Sequence, residues 1–135
     1  MAALDTNVLV RYLVRDDVAQ LAAASQLIRR CVDQGETLYV PVSVALELEW
    51  VLRASFGFGK GEVTRTLADL LSSAELRFES EGALELALLR YKEGTVDFSD
   101  CLHIALATQA GEQPLWTFDK AATRVEGAQL LEALP

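Results

Sequence analysis

Residues 1–14, MAALDTNVLVRYLV, carry the pattern on which the fold prediction depends. The short apolar run MAAL predicts a buried strand, and it ends at Asp5. Beyond Asp5 the apolar residues change to helical spacing, with Val8, Leu9 and Tyr12 on one side. The stretch therefore predicts a strand that leads directly into a helix, with a carboxylate at the junction.

The same alternation continues along the chain. Further strands are predicted at TLYVP (37–41), ELRFE (75–79) and LWTF (115–118), with amphipathic helices before and between them. This order is typical of an α/β fold in which helices cover both faces of a central parallel sheet, a three-layer α/β/α arrangement. The sequence has no repeat or linker, and 135 residues suit one compact unit, so we expect a single domain over residues 1–135.

Composition excludes several classes of protein. Hydrophobic residues make up 51% of the chain and charged residues 24%, which is typical of a globular fold rather than a disordered chain. No apolar run approaches the roughly 20 residues of a membrane helix, and the N-terminus lacks the features of a signal peptide. We expect a cytoplasmic protein without membrane contact, with Cys31 and Cys101 as free thiols.

The net charge of -8 has the wrong sign for a protein that binds nucleic acid through a broad basic face. Two interpretations of the excess acid remain open at this point. Either the acids form a solvated surface, or several of them converge on divalent cations that offset their charge. Arg11, Arg15, Arg53 and Lys60 could contact phosphates, although solvated surface charge is the favoured interpretation of these four.

Several acids are predicted to lie near the carboxyl ends of the parallel strands. Asp5 and Asp119 directly follow predicted strands, and ligands bind beyond the carboxyl ends of such strands. Glu47, Asp97 and Asp100, which begin or occupy neighbouring helices, can join them. Each also has a structural interpretation: Asp5, Asp97 and Asp119 could cap a helix or turn, and either Glu47 or Glu49 could be solvated.

A cluster of carboxylates predicts a particular chemistry. Two like charges about 4 Å apart repel by roughly 4 kcal/mol at an effective dielectric constant of 20, and a bound cation removes that penalty. Oxygen ligands suit one or two Mg²⁺ or Mn²⁺ ions, which support in-line hydrolysis of a phosphodiester. Ribonuclease chemistry by paired histidines is disfavoured because His103 is the chain's one histidine.

Four acidic segments stand in a distinctive order: LDTNVLVRYLVRDD (4–17), PVSVALELEWVLRASFGFGK (41–60), VDFSDCLHIALA (96–107) and LWTFDKAA (115–122). Together they resemble the PIN-domain ribonucleases, in particular the VapC-type toxins of bacterial toxin–antitoxin pairs. The resemblance spans nearly the whole chain. It implies a PIN-like α/β/α fold, cleavage of single-stranded or loop RNA, a homodimer and inhibition by a small antitoxin.

Carried onto this sequence, the resemblance implies a set of catalytic, metal-binding acids: Asp5, Glu47, Asp100 and Asp119. It also implies polar residues that orient those carboxylates by hydrogen bonds, namely Thr6, Asn7 and Thr117, and an extra acid of uncertain role, Asp97. Two alternatives stay open. One is a phosphatase with an aspartyl nucleophile after the first strand, and the other is a PIN-like or receiver-like module that binds a partner without catalysis.

Overall fold

The computed structural model describes residues 2–135, within which it contains six α-helices and five short strands. The chain divides into two compact units, Met1–Glu79 and Ser80–Pro135. The elements of the first unit are β1 (Ala2–Ala3), α1 (Thr6–Val14), α2 (Val18–Asp33), β2 (Leu38–Val40), α3 (Val42–Ala54), α4 (Lys60–Leu71) and β3 (Leu76–Phe78). Those of the second are α5 (Glu81–Glu93), α6 (Phe98–Gln109), β4 (Leu115–Thr117), a 3₁₀ turn (Ala122–Arg124) and β5 (Ala128–Leu130).

The first unit is built on a parallel sheet in the order β1-β2-β3. Leu38 and Val40 of β2, the central strand, are completely buried, because β2 pairs on both sides and its inward side chains face covering helices. The backbone pairing continues past the strands, since Leu4 N donates to Tyr39 O and Glu79 N donates to Val40 O, both at 2.9 Å. The residues that follow β1 and β3 therefore lie at the same carboxyl edge of this sheet.

Acidic side chains fix the starts of two helices in this unit. Asp17 is the N-cap of α2, where its Oδ1 accepts the backbone N–H of Gln20 at 3.0 Å. Pro41 precedes α3 and cannot supply a side-chain cap, so Glu79, the residue after β3, does so by accepting the Val42 N–H at 2.8 Å. Sheet and helix are thereby joined by a bond between residues 37 positions apart.

The second unit packs α5 against α6 and adds a parallel pair of strands, β4 and β5. Tyr91 and Phe98 meet edge to face with ring centroids 5.7 Å apart, a favourable geometry for two aromatic rings. Gly127, at φ +106°, leads into β5 beside Ile104; a Cβ there would lie 3.0 Å from the Ile104 Cγ2 atom. This close approach requires glycine.

The predicted α/β class with parallel strands is confirmed, and every strand and helix predicted from the sequence forms. The strand β5 was not predicted, because AQL is only three residues long and contains no β-branched or aromatic residue. The strands fall into two hydrogen-bonded groups, one in each unit. The expectation of a single domain over residues 1–135 stays a prediction.

Trp50 and Trp116 are both 55% exposed, so neither tryptophan is buried in the core. Cys31 and Cys101 are buried free thiols, as expected. Across residues 2–135, none of the helices combines the length and the apolar character needed to cross a bilayer.

Candidate active site

Thr6 joins two of the predicted carboxylates in the first unit. Its backbone N–H donates to Asp5 Oδ1 at 2.7 Å, and its hydroxyl donates to Glu47 Oε1 in a short hydrogen bond. Asp5 is the N-cap of α1 at the carboxyl end of β1, whereas Glu47 lies in the middle of α3. Thr6 therefore bonds both its neighbour Asp5 and Glu47, which is 41 positions further along the chain.

Burial differs sharply among these three residues. Thr6 is only 3% exposed, so its hydroxyl is fixed within the packed interior, while Asp5 and Glu47 are exposed. Each carboxylate has two oxygens and uses one of them toward Thr6. Capping of α1 by Asp5, the structural interpretation of this acid, is thus observed, and it remains compatible with metal binding through the second oxygen. Asn7 is exposed in the first turn of α1.

The structure also separates the roles of Glu47 and Glu49. Side chains two positions apart on a helix point in roughly opposite directions, about 200° apart at 3.6 residues per turn. Glu49 is the buried member of the pair, 3% exposed, and its Oε2 accepts from Arg53 Nε at 2.9 Å. Glu47 is therefore the acid available for a site, and Arg53 is engaged by a carboxylate.

Asp97 and Asp100 stand together at the start of α6 in the second unit. Asp97 is the N-cap by backbone conformation, but its side chain makes no capping hydrogen bond. Asp100 is half-buried in the first turn, where the partial positive charge of the helix N-terminus favours a carboxylate. Asp97 therefore differs from Asp17, which uses its carboxylate to cap α2.

Thr117 and Asp119 form a tight turn after β4. Thr117 Oγ1 accepts the Asp119 N–H at 3.0 Å, and Asp119 Oδ1 accepts the Ala121 N–H at 2.9 Å. Asp119 is exposed. The turn-capping interpretation of Asp119 is therefore observed, and Thr117 fixes the backbone of the acid rather than its carboxylate.

The structure thus brings Asp5, Thr6 and Glu47 together within the first unit. In the second unit it places Asp97 with Asp100 on α6 and Thr117 with Asp119 after β4. In the part of the chain that the structure describes, no three or more His, Cys, Asp or Glu side chains are grouped closely enough to hold a metal ion. Convergence of all four predicted ligands stays a prediction.

Sequence reasoning did not single out Glu79, although it follows a strand as Asp5 does. Its position after ELRF could have been recognised from the rule applied to the other acids. Its Oε1 caps α3, and it interacts with the phenol of Tyr39 on the adjacent strand. Partial burial and this neighbouring carboxylate raise the pKa of Tyr39. Glu79 therefore has a clear structural task at the same sheet edge.

Comparison with known proteins identifies the family of the chain. The model of the PIN domain family matches residues 2–128. The chain is also similar to a VapC ribonuclease from Aquifex aeolicus (strain VF5), with 23% identity over 120 residues that cover 89% of this chain and 88% of that protein. The family match extends across both compact units and includes every residue proposed for the site.

Proposed function

Because the chain belongs to the PIN domain family, we propose that it is a divalent-metal-dependent endoribonuclease and the toxin of a toxin–antitoxin pair. The similarity to a VapC ribonuclease over 89% of the chain supports this assignment. The family resemblance drawn from four acidic segments is confirmed by the family match. RNA as substrate and a small antitoxin as partner belong to the proposal.

One observation carries it: Thr6 holds Asp5 and Glu47 together at the end of β1. Two exposed carboxylates, one bonded to the backbone N–H and the other to the hydroxyl of the same buried threonine, are a costly arrangement without a cation, because like charges at short range repel. Their oxygens are hard ligands of the kind that Mg²⁺ and Mn²⁺ prefer. The donor set therefore fits a divalent ion.

We propose that Asp100 and Asp119 complete the set of metal ligands. The bound cation would supply an activated water, charge neutralisation at the phosphate and stabilisation of the leaving oxygen. Thr6 would keep the Glu47 carboxylate oriented, and Thr117 would fix the backbone that presents Asp119. Hydrolysis would break the bond between phosphorus and the 3′ oxygen, leaving a 5′-phosphate and a 3′-hydroxyl.

Substitution of the acids one at a time tests the proposal. The variants are Asp5→Asn, Glu47→Gln, Asp100→Asn and Asp119→Asn, and each should lower Mg²⁺-dependent cleavage of RNA by more than about 100-fold, since even residues that only orient metal ligands typically cost 10–100-fold. Asp69→Asn, an exposed acid on α4, serves as the matched control. Full activity in the four variants, or undiminished cleavage after chelation, would refute a carboxylate metal site.

Product analysis separates the remaining alternatives. A 5′-phosphate on the fragments supports the proposed hydrolysis, whereas a 2′,3′-cyclic phosphate excludes it. Turnover of small phosphate esters through a trapped acyl-phosphate on Asp5 would favour the phosphatase, which membership of the PIN family argues against. A folded protein that neither cuts RNA nor binds metal would be an interaction module. Sedimentation of the purified protein tests the proposed homodimer.

A further inference from the structure

Two large aromatic side chains are exposed immediately before Asp119. Trp116 lies on β4 and is 55% exposed, and Phe118 follows the strand and is 69% exposed. Thr117 between them is half-buried, as expected where successive side chains alternate between the two faces of a strand. Phe118 lies in the bend that ends the strand, so the two exposed rings are separated by a single residue, and they leave an unusual amount of aromatic surface in water.

The backbone beneath these rings is held firmly. Trp116 is paired with Gln129 of β5, and Leu131 N donates to Thr117 O at 2.7 Å just beyond the strand. On the other side, Asp119 N donates to the Thr117 hydroxyl. The main chain that carries each ring is already fixed and does not have to be ordered when a ligand stacks on the ring. The entropic cost of binding is therefore small.

Spacing and charge favour nucleobases as the ligand. The Cα atoms of two residues that are two positions apart can be separated by at most about 7 Å, a spacing at which each ring can reach one base of an extended single strand. The net charge of -8 disfavours a binding mode that depends mainly on electrostatic attraction to phosphates. Stacking on neutral bases does not depend on positive charge. The segment LWTFDKA (115–121) is itself neutral, with exposed Lys120 beside Asp119.

We propose that Trp116 and Phe118 form a stacking platform for two successive bases of single-stranded RNA. The inference rests on the proposed ribonuclease function and extends it, because it makes the segment next to Asp119 a determinant of substrate binding. It selects unpaired RNA, since a base inside a duplex cannot present its face to a protein ring. It implies sequence tolerance, because every base has such a face.

Tryptophan fluorescence tests the platform directly. In a Trp50→Phe background Trp116 is the remaining tryptophan, and Asp100→Asn prevents cleavage during the titration. Oligouridine should quench the emission saturably, and an abasic oligomer of the same length and charge should bind much more weakly. Phe118→Ala should raise the Kd for oligouridine by about 5- to 150-fold, the range expected for loss of one stacked base.

Two further variants distinguish stacking from general apolar contact. Phe118→Leu keeps most of the apolar surface but removes the flat ring, so it should behave nearly as Phe118→Ala does. Leu89→Ala on α5, 49% exposed in the wild type, should leave the Kd unchanged. A wild-type Kd in Phe118→Leu, or equal affinity for the abasic oligomer, would overturn the platform.

The outcomes also separate this inference from the proposed function. If RNA binding quenches Trp116 but the wild-type protein does not cut RNA, the proposed nuclease function is refuted and the stacking platform is supported. If Phe118→Ala cuts RNA in a metal-dependent manner with an unchanged KM, the nuclease function is supported and the stacking platform is refuted. If Trp116→Ala and Phe118→Ala instead turn a dimer into a monomer at unaltered RNA affinity, the rings bind a second copy of the chain, and the platform is refuted.

Discussion

Replacing Thr6 with valine isolates the bond that organises the candidate site. Valine keeps the shape and the burial of threonine, so the interior around a residue that is 3% exposed stays filled. The backbone N–H of residue 6 still donates to Asp5, and α1 keeps its N-cap. The change therefore removes one contact, the hydroxyl bond to Glu47.

The expected cost in stability is small. A hydrogen bond contributes about 0.5–1.5 kcal/mol, and the exposed Glu47 carboxylate can turn to water when its partner is lost. We therefore expect the free energy of unfolding to fall by about 1 kcal/mol or less. The effect on function should be larger, because residues that orient a metal ligand typically change metal affinity or activity by about 10- to 100-fold.

The assay combines three measurements on Thr6→Val: urea unfolding, Mn²⁺ affinity by calorimetry and cleavage of RNA. Thr6→Ser, which restores the hydroxyl, should recover most of the metal affinity, and this recovery separates orientation from bulk. The reasoning is refuted if Thr6→Val binds Mn²⁺ and cuts RNA as well as the wild type does. It is also refuted if serine and valine weaken metal binding equally.

Two further predictions concern groups outside the proposed ligands. Arg53→Ala removes the cation that pairs with buried Glu49, so it should destabilise the fold by about 1–3 kcal/mol in urea unfolding. The affinity for Mn²⁺ should stay intact. A loss of metal affinity at unchanged stability would contradict this prediction. The hydrogen bond from Ser73 lowers the pKa of Glu75 in the folded protein. Ionised Glu75 therefore stabilises the fold at pH values above its unfolded-state pKa, and this contribution is lost as the pH falls through the folded-state pKa. Ser73→Ala should raise the pKa of Glu75 in an NMR titration and flatten that part of the acid dependence, and an unshifted titration would show that the bond has no such effect.

The strand-to-helix junctions were predictable because they depend on local pattern. The apolar run before Asp5 and the helical spacing after it carry their own signals, and the boundary between β1 and α1 lies at this acid. By contrast, β5 was missed because so short a segment becomes a strand only when β4 lies beside it. The exposure of Trp50 and Trp116 could not be predicted from the sequence either, since large aromatic side chains are more often buried.

The sequence alone determined the α/β class and the order of every element except β5, since these follow from local periodicity. It also indicated the family, through the resemblance of four acidic segments. The tertiary structure decided which acid is buried in an ion pair and which is exposed beside Thr6. Residue pattern alone does not distinguish Glu47 from Glu49, and the choice of Glu47 came from the family resemblance. The packing of α3 buries Glu49 against Arg53 and brings Glu47 to Thr6. The physical reason is that a carboxylate's role depends on its burial and its partners, which arise only when distant segments fold together.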